Sequence, residues 1–191
     1  MAKGSQLRDY QTAILARLEE AKKAGAAAQA GYLGVVIGSK NVLVNLQEIS
    51  ETLPVVGIHR VPVVKPWFLG VANVRGVLYA INDLAQMLEH TYTTISSEAR
   101  LLLMSETITS NVAFVVDKMI GLRKLDEMKL SDEAAEESVC LKAQIYQDAE
   151  NMVWHMLDCD KLVRSKEFAV PNIVWDSIWD LVWALIRMIR N

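Results

Sequence analysis

The amino-acid sequence predicts a mainly β protein with peripheral helices, and two observations support this prediction. Short apolar runs recur between turn-forming residues over residues 32–157, a pattern typical of small barrels and sandwiches. Two of these runs, residues 70–74 and 77–81, lie on either side of an Asn-x-Arg-Gly sequence, whose chemistry suits a tight hairpin turn. We therefore expect antiparallel strands joined by short turns.

The first half of the β-rich region is expected to begin with a hairpin of residues 32–38 and 41–46 around a Ser-Lys turn. A helical turn is predicted at residues 47–52, a further strand at residues 55–62, and the Asn-x-Arg-Gly hairpin then follows.

The second half is predicted to consist of short strands with polar connections. Residues 85–90 close the first half, residues 91–98 form a surface loop, and the acidic run 126–137 is a solvated connection. The five predicted strands are residues 100–104, 111–117, 119–124, 138–146 and 152–157. In the fourth of them, alternation places one set of side chains on a buried face: Val139, Leu141, Ala143 and Ile145.

The Asn-x-Arg-Gly turn is the candidate functional feature. Gly76 allows a positive φ there, and Arg75 is left on a rigid turn with its guanidinium facing outward. A fixed arginine beside apolar strand surface suits the docking of a partner. It suits bond-making chemistry poorly, because no acid, base or nucleophile accompanies it.

Residues 61–84 resemble the CheW-like adaptor domain, whose hallmark is a strand, an Asn-x-Arg-Gly turn and an apolar strand ending in Asp-Leu. Residues 112–117 resemble the strand of that family that ends in Val-Asp, and residues 157–162 resemble its closing Leu-Asp-x-x-Lys-Leu helix. The resemblance covers residues 32–166. The segments VPVVKPW, which precedes the hairpin, and ANVRG, which contains its turn, are most similar in sequence to the PilI branch, which serves twitching motility on type IV pili. Ala80 stands where the family usually has proline.

The resemblance implies two packed SH3-like five-stranded β-barrels around a shared hydrophobic core. It also implies a non-enzymatic adaptor that couples methyl-accepting receptors to a CheA-type histidine kinase, with flagellar chemotaxis as the alternative to twitching motility. Receptor docking is expected in the groove between the barrels, where apolar strand residues are weaker candidates because they can equally be core. The full set of candidate partner-binding residues is Asn73, Val74, Arg75, Gly76, Val77 and Phe114.

Outside the adaptor domain, residues 1–31 are expected to form a helix over residues 6–23 and a small-residue linker, and residues 167–191 an amphipathic tail helix. The tail carries three tryptophans at a spacing of four: Trp175, Trp179 and Trp183. Packing on its own domain, self-association and insertion into a partner groove all remain open for this helix. Binding to a membrane surface is a weaker reading, since its polar face carries as many acids as bases. A non-native extension is also open.

Composition excludes some functions. The chain of 191 residues carries 20 Lys+Arg and 23 Asp+Glu, a net charge of −3, which argues against a nucleic-acid partner. The chain opens without a secretory signal pattern, and Asp176, Asp180 and Arg187 interrupt its most hydrophobic window. We therefore expect a cytoplasmic protein without a membrane span, and the resemblance to the CheW-like family implies a location at receptor arrays near the inner membrane face. Cys140 and Cys159 are expected to be buried thiols.

No motif for catalysis or cofactor binding stands out. His155 and Cys159 lie four residues apart, but two ligands do not complete a zinc site, and His155 is expected in a strand. Asp83 and Asp117 each follow a strand and are expected to cap a helix or a turn rather than to form a catalytic pair. The expectation is therefore no enzyme, no metal and no cofactor, with a small β-barrel enzyme as the rival hypothesis.

Overall fold

The structure is a computed structural model that describes residues 31–131 and 140–169. The predicted helix at residues 6–23 and the tail at residues 171–191 lie outside the described residues. Within the described part, the strands in chain order are β1 (Tyr32–Ile37), β2 (Lys40–Asn45), β3 (Ile49–Pro54), β4 (Phe68–Val74), β5 (Val77–Asp83), β6 (Arg100–Met104), β7 (Val112–Val116), β8 (Lys118–Arg123), β9 (Lys129–Leu130), β10 (Leu141–Gln147) and β11 (Val153–Leu157). The helices are α1 (Leu84–Glu89), α2 (Cys159–Arg164) and α3 (Lys166–Ala169), and there are 3-10 turns at Leu46–Glu48 and Leu125–Glu127.

The strands form two sheets, and the mainly β class is confirmed. The first sheet has the order β8-β1-β2-β11-β10-β9, and the second has the order β3-β6-β7-β5-β4. The chain leaves the first sheet after β2, builds the whole second sheet, and then returns to complete the first. The β1–β8 pairing therefore joins residues far apart in sequence, such as Gly34 and Gly121. The second sheet is an insertion within the first.

The first sheet must curl, because the connection between its two edge strands is short. A flat sheet of six strands would place β8 and β9 about 24 Å apart. The chain from Arg123 to Lys129 spans at most about 21 Å when fully extended, and the 3-10 turn within it shortens that reach. In the described residues the edge strands of each sheet are not paired with each other, so the sheets are SH3-like but not fully closed barrels. The first sheet has six strands rather than the expected five, because the two-residue β9 pairs with β10.

A shared hydrophobic core lies between the two sheets, as expected. Its first-sheet contributions include Val35 and Val42, and its second-sheet contributions include Leu102 and Phe114. All five residues of β7 are buried, because its alternate residues face the shared core and the separate core of the second sheet. The second core contains Ala72, Val74, Ile81, Leu101, Leu103, Ala113 and Val115.

The other face of the first sheet is built around the buried indole of Trp154. Gly34 lies opposite this ring, where a Cβ atom would come within 2.8 Å of it. The guanidinium of Arg123 lies 5.1 Å from the ring centroid, and the indole N–H donates a hydrogen bond of 2.8 Å to Asp148. The tryptophan is thus held by packing, a cation–π contact and a satisfied polar group.

Two sequence predictions for the strands were wrong. The predicted strand at residues 55–62 is a loop with a single bridge from His59 to Val71. The strand in this part of the chain is β3, which lies earlier and covers most of the residues that were predicted as a helical turn. Pro54 ends β3, and Pro62 and Gly57 break the segment after it. In β10 the strict alternation also fails. Leu141 and Ile145 are buried while Ala143 is exposed, because a bulge interrupts the pairing with β11 between the first two.

Several polar predictions were correct. Asp83 is the N-cap of α1, since its side chain accepts hydrogen bonds from the N–H groups of Ala85 and Gln86. Asp117 accepts from the N–H of Gly38 at 2.8 Å and thereby holds the β1–β2 turn.

At Ala80, the N–H donates to the carbonyl of Asn111 at 2.8 Å. A proline could not make this bond, so β5 here has a hydrogen bond that the family's usual residue would exclude.

Gly70 provides a test of the loop packing against β4. Its φ of 135° and the overlap of any added Cβ with the His59 carbonyl require glycine. We expect Gly70→Ala to lower the free energy of unfolding by roughly 2 kcal/mol or more, measured by denaturant titration. Gly57→Ala in the same loop meets nothing within 4 Å and is the matched control, expected to leave stability unchanged or slightly higher. Equal effects of the two substitutions would contradict this account.

Candidate partner-docking site

The β4–β5 hairpin ends in a two-residue turn. Val74 and Val77 are the last paired residues, so Arg75 and Gly76 form the turn. Both have positive φ, 54° and 90°, as a type I′ turn requires. The Asn73 side chain accepts a hydrogen bond of 2.7 Å from the Gly76 N–H, which fixes the turn from within. The expectation for Gly76 is confirmed, while the left-handed conformation of Arg75 was not foreseen.

The Arg75 side chain is exposed and held by an ion pair. Its side chain is 74% exposed, and its two terminal nitrogens donate to the two carboxylate oxygens of Glu51 at 2.8 Å and 2.5 Å. Such a bidentate pair fixes the plane of the guanidinium. Sequence reasoning missed Glu51, since nothing in the local pattern joins it to a turn 24 residues away.

This ion pair also reports the shape of the second sheet. Glu51 lies in β3 at one edge of the sheet, and Arg75 adjoins β4 at the other. A flat five-stranded sheet would separate its edge strands by about 19 Å, more than one arginine and one glutamate side chain can bridge. The second sheet is therefore curled, and the ion pair joins its two edges at the hairpin end.

Apolar side chains are exposed beside the arginine. Val77 is 44% exposed and Leu78 is 59% exposed. Neighbouring strand residues point to opposite faces, so exposure of both means that the hairpin end projects beyond the body of the sheet. Leu78 was not among the predicted site residues, although its place two residues after the turn could have indicated it.

The predicted site residues fall into two groups. Asn73, Arg75, Gly76 and Val77 are exposed together at the hairpin end, whereas the Val74 side chain is buried in the second core. Phe114 is fully buried in the shared core. As a buried strand residue it presents no side chain at the surface, so of its two readings, core residue or docking residue, the geometry favours core.

Away from the hairpin, packing explains the shifted pKa values of two titratable groups. Burial raises the pKa of Glu48, although a hydrogen bond from the Cys159 thiol and the charge of Lys142 oppose this shift. Burial and the neighbouring Glu48 carboxyl raise the pKa of Cys159 far above its ordinary value, so this thiol is a poor nucleophile. Both cysteines are buried, as expected from the sequence.

Two acidic residues have lowered pKa values for structural reasons. Burial acts to raise the pKa of Glu89, but hydrogen bonds from the hydroxyl and N–H of Ser39 and the charge of Lys40 outweigh it. At Asp148, hydrogen bonds from the Trp154 indole and from backbone N–H groups likewise outweigh burial and hold the pKa below its usual range.

The remaining expectations concern metals and membranes. His155 lies in a strand, β11, as predicted, and Cys159 begins α2. Within residues 31–131 and 140–169 there is no group of three or more side chains that could hold a metal ion. The helices in the same ranges are too short to cross a bilayer.

The fold and the hairpin define a class of protein, namely a two-sheet β domain that presents an arginine on a rigid turn. The chain belongs to the CheW-like domain family, whose model matches residues 31–167. Among solved structures, it is similar to the scaffolding protein TtCheW from Thermoanaerobacter tengcongensis, with a TM-score of 0.61 over 76% of this chain and 98% of that chain. The two sequences are 11% identical, so this likeness concerns the fold alone. No curated protein matches the sequence.

The Glu48 carboxyl generates a pH prediction. Its Oε2 atom is buried and accepts no hydrogen bond within the described residues, and its raised pKa means that ionisation opposes folding. The contribution of this carboxyl to stability is therefore fully present below the ordinary value of 4.5, and it is lost as the pH rises from there through the folded-state pKa. We expect Glu48→Gln to raise the melting temperature at pH 7 by about 2–4 °C and to flatten this pH dependence.

Glu127→Gln is the matched control for this prediction. Glu127 lies in the other 3-10 turn, with its side chain 68% exposed. Its substitution should leave the thermal unfolding profile unchanged between pH 4 and pH 7. A Glu48→Gln variant that melts lower at pH 7 would mean that the carboxylate is stabilising, contrary to our account.

Proposed function

We propose that this protein is a non-enzymatic signalling adaptor that couples methyl-accepting receptors to a CheA-type histidine kinase. The observation that supports the proposal best is Arg75, which a type I′ turn and the Glu51 carboxylate hold in one exposed geometry. Membership of the CheW-like domain family and the resemblance of residues 61–84 support a receptor and a kinase as the proposed partners.

The proposed mechanism is mechanical. An adaptor transmits a receptor conformation to a kinase only if its two contact surfaces keep a fixed relative position, because flexibility between them lowers the coupling free energy. The two sheets share one core, and the hairpin end is fixed to β3 by the Arg75–Glu51 pair. Arginine beside exposed Val77 and Leu78 has the composition of an interface hot spot, in which a charged group is surrounded by apolar contact.

The proposed pathway is type IV pilus twitching motility. The wording of the lead-in VPVVKPW and of ANVRG supports this branch, and flagellar chemotaxis is the second candidate on the same family membership. The proposed location is the cytoplasm, at receptor arrays beneath the inner membrane, with residues 32–166 as the adaptor domain between an N-terminal helix and a C-terminal tail. Deletion of the gene should abolish twitching and spare swimming, and the reverse pattern would assign the protein to flagellar chemotaxis.

The first test of the site is Arg75→Ala. An exposed ion pair contributes about 0–1 kcal/mol to folding, so the melting temperature should hardly change. Binding of the kinase or of the receptor, measured by calorimetry with purified proteins, should fall by more than about tenfold. Glu51→Gln keeps the arginine but removes the charge that holds it, and should produce a smaller fall. A variant that unfolds while the folded fraction binds normally would make Arg75 a structural residue.

The second test separates docking residues from core residues. Val77→Asp places a charge on the exposed hairpin end, and it should weaken receptor or kinase binding while the circular dichroism spectrum stays native. Val74→Asp and Phe114→Asp bury a charge and should prevent folding. A folded Val77→Asp variant with undiminished binding of both partners would remove the hairpin end from the proposed interface.

A further inference from the structure

An aromatic contact fixes the point at which the described chain ends. The ring of Phe168 in α3 stacks on Trp67, with 5.7 Å between ring centroids and 17° between planes, and lies 5.8 Å from the Phe114 ring. Ser165 holds this helix in place, because its hydroxyl accepts from the Phe168 N–H at 3.1 Å and its carbonyl from the Ala169 N–H at 3.0 Å. The family match ends at residue 167, so Phe168 lies just beyond it.

The segment next to this contact is apolar and contains one exposed residue with a strained backbone. Trp67 packs with buried Val61 and Phe68 and with half-buried Val64, and we call this group, with Phe168, the Trp67 cluster. Val63 lies between two of its members in sequence and is 52% exposed. Its φ of 59° is left-handed, which is a genuine outlier for a β-branched residue. Holding an exposed valine in this conformation costs free energy, and an apolar contact with its side chain would offset that cost.

The sequence after Ala169 continues the apolar pattern that Phe168 begins. Steps of three, four and seven residues from Phe168 reach Trp175, Trp179, Val182 and Ile186. In a helix these positions share one face with Phe168, with a bend where Pro171 removes a hydrogen bond. The 21 residues of 171–191 would extend about 31 Å as a helix, long enough to cross the Trp67 cluster and the Val63 loop.

We propose that residues 171–191 pack as a helix against exposed Val63 and the half-buried members of the Trp67 cluster, Val64 and Phe168, with Phe168 as the first residue of the contact. The occupant is this chain's own tail because its start is already held against Trp67. Covalent attachment two residues from that contact gives the tail a high effective concentration there, which a second copy or a free partner lacks. This proposal does not depend on the signalling partners proposed above.

The test uses the full-length chain and the substitution Val63→Asn. Asparagine adopts the left-handed conformation more readily than valine, so it relieves strain, but it loses the apolar contact with a docked tail. In the natural sequence we expect Val63→Asn to lower the melting temperature by roughly 3 °C. In a background with Trp175, Trp179 and Trp183 all replaced by alanine, the same substitution should leave the melting temperature unchanged or raise it.

Leu122→Asn is the matched control, because Leu122 is 61% exposed but lies on β8 of the first sheet. Its effect should be the same in both backgrounds. Sedimentation of the unsubstituted chain at several concentrations should give a monomer. Equal effects of Val63→Asn in the two backgrounds would overturn the proposal. An oligomer that dissociates when the three tryptophans are replaced would also overturn it, in favour of self-association through the tail.

Discussion

Burial of β7 on both faces is the constraint on which the rest of the molecule depends. Val112, Phe114 and Val116 face the core between the sheets, while Ala113 and Val115 face the core of the second sheet. β7 also pairs with β5 in parallel and with β6 in antiparallel register. β7 therefore packs against the first sheet through the shared core and also aligns β5, a strand of the hairpin. The position of the exposed arginine thus follows from the packing of the core.

The hairpin end is stabilised by contacts that do not bury it. Turn geometry, the Asn73 side chain and the Glu51 carboxylate act at the surface and leave Val77 and Leu78 in solvent. Exposed apolar side chains on a rigid projection are unfavourable for an isolated domain and favourable for one that spends its time in an assembly. This division between a buried strand that positions the hairpin and an exposed turn that is free for contact suits the adaptor role proposed above.

Local chemistry explains which features the sequence could predict. The hairpin turn, the cap by Asp83 and the burial of both cysteines depend on residues close in sequence or on simple hydrophobicity. The features that were missed depend on distant pairings. β3 is recognisable only once β6 lies beside it, and the bulge in β10 only once β11 does. The Glu51 contact exists because the sheet curls, and curvature has no local pattern in the sequence.

Phe114 illustrates the same limit at the candidate site. The sequence around an apolar strand residue is the same whether its side chain lines a groove or lies in the core. In a strand that is covered on both faces, apolar residues do not alternate with polar ones, so the pattern cannot tell these two positions apart. For β7 only the arrangement of the two sheets decides the matter, and it decides for the core.

The insertion of one sheet within the other has a consequence for synthesis on the ribosome. All of β3 to β7 precedes β8, so the second sheet has all its strands when residue 116 has emerged. Gly34 must wait for Gly121, 87 residues later (121 − 34), before β1 gains its outer neighbour. At typical elongation rates that interval is on the order of ten seconds. Throughout that interval the β1–β2 hairpin has both edges unpaired, so among the described strands these two early ones are more vulnerable to mispairing than the later ones.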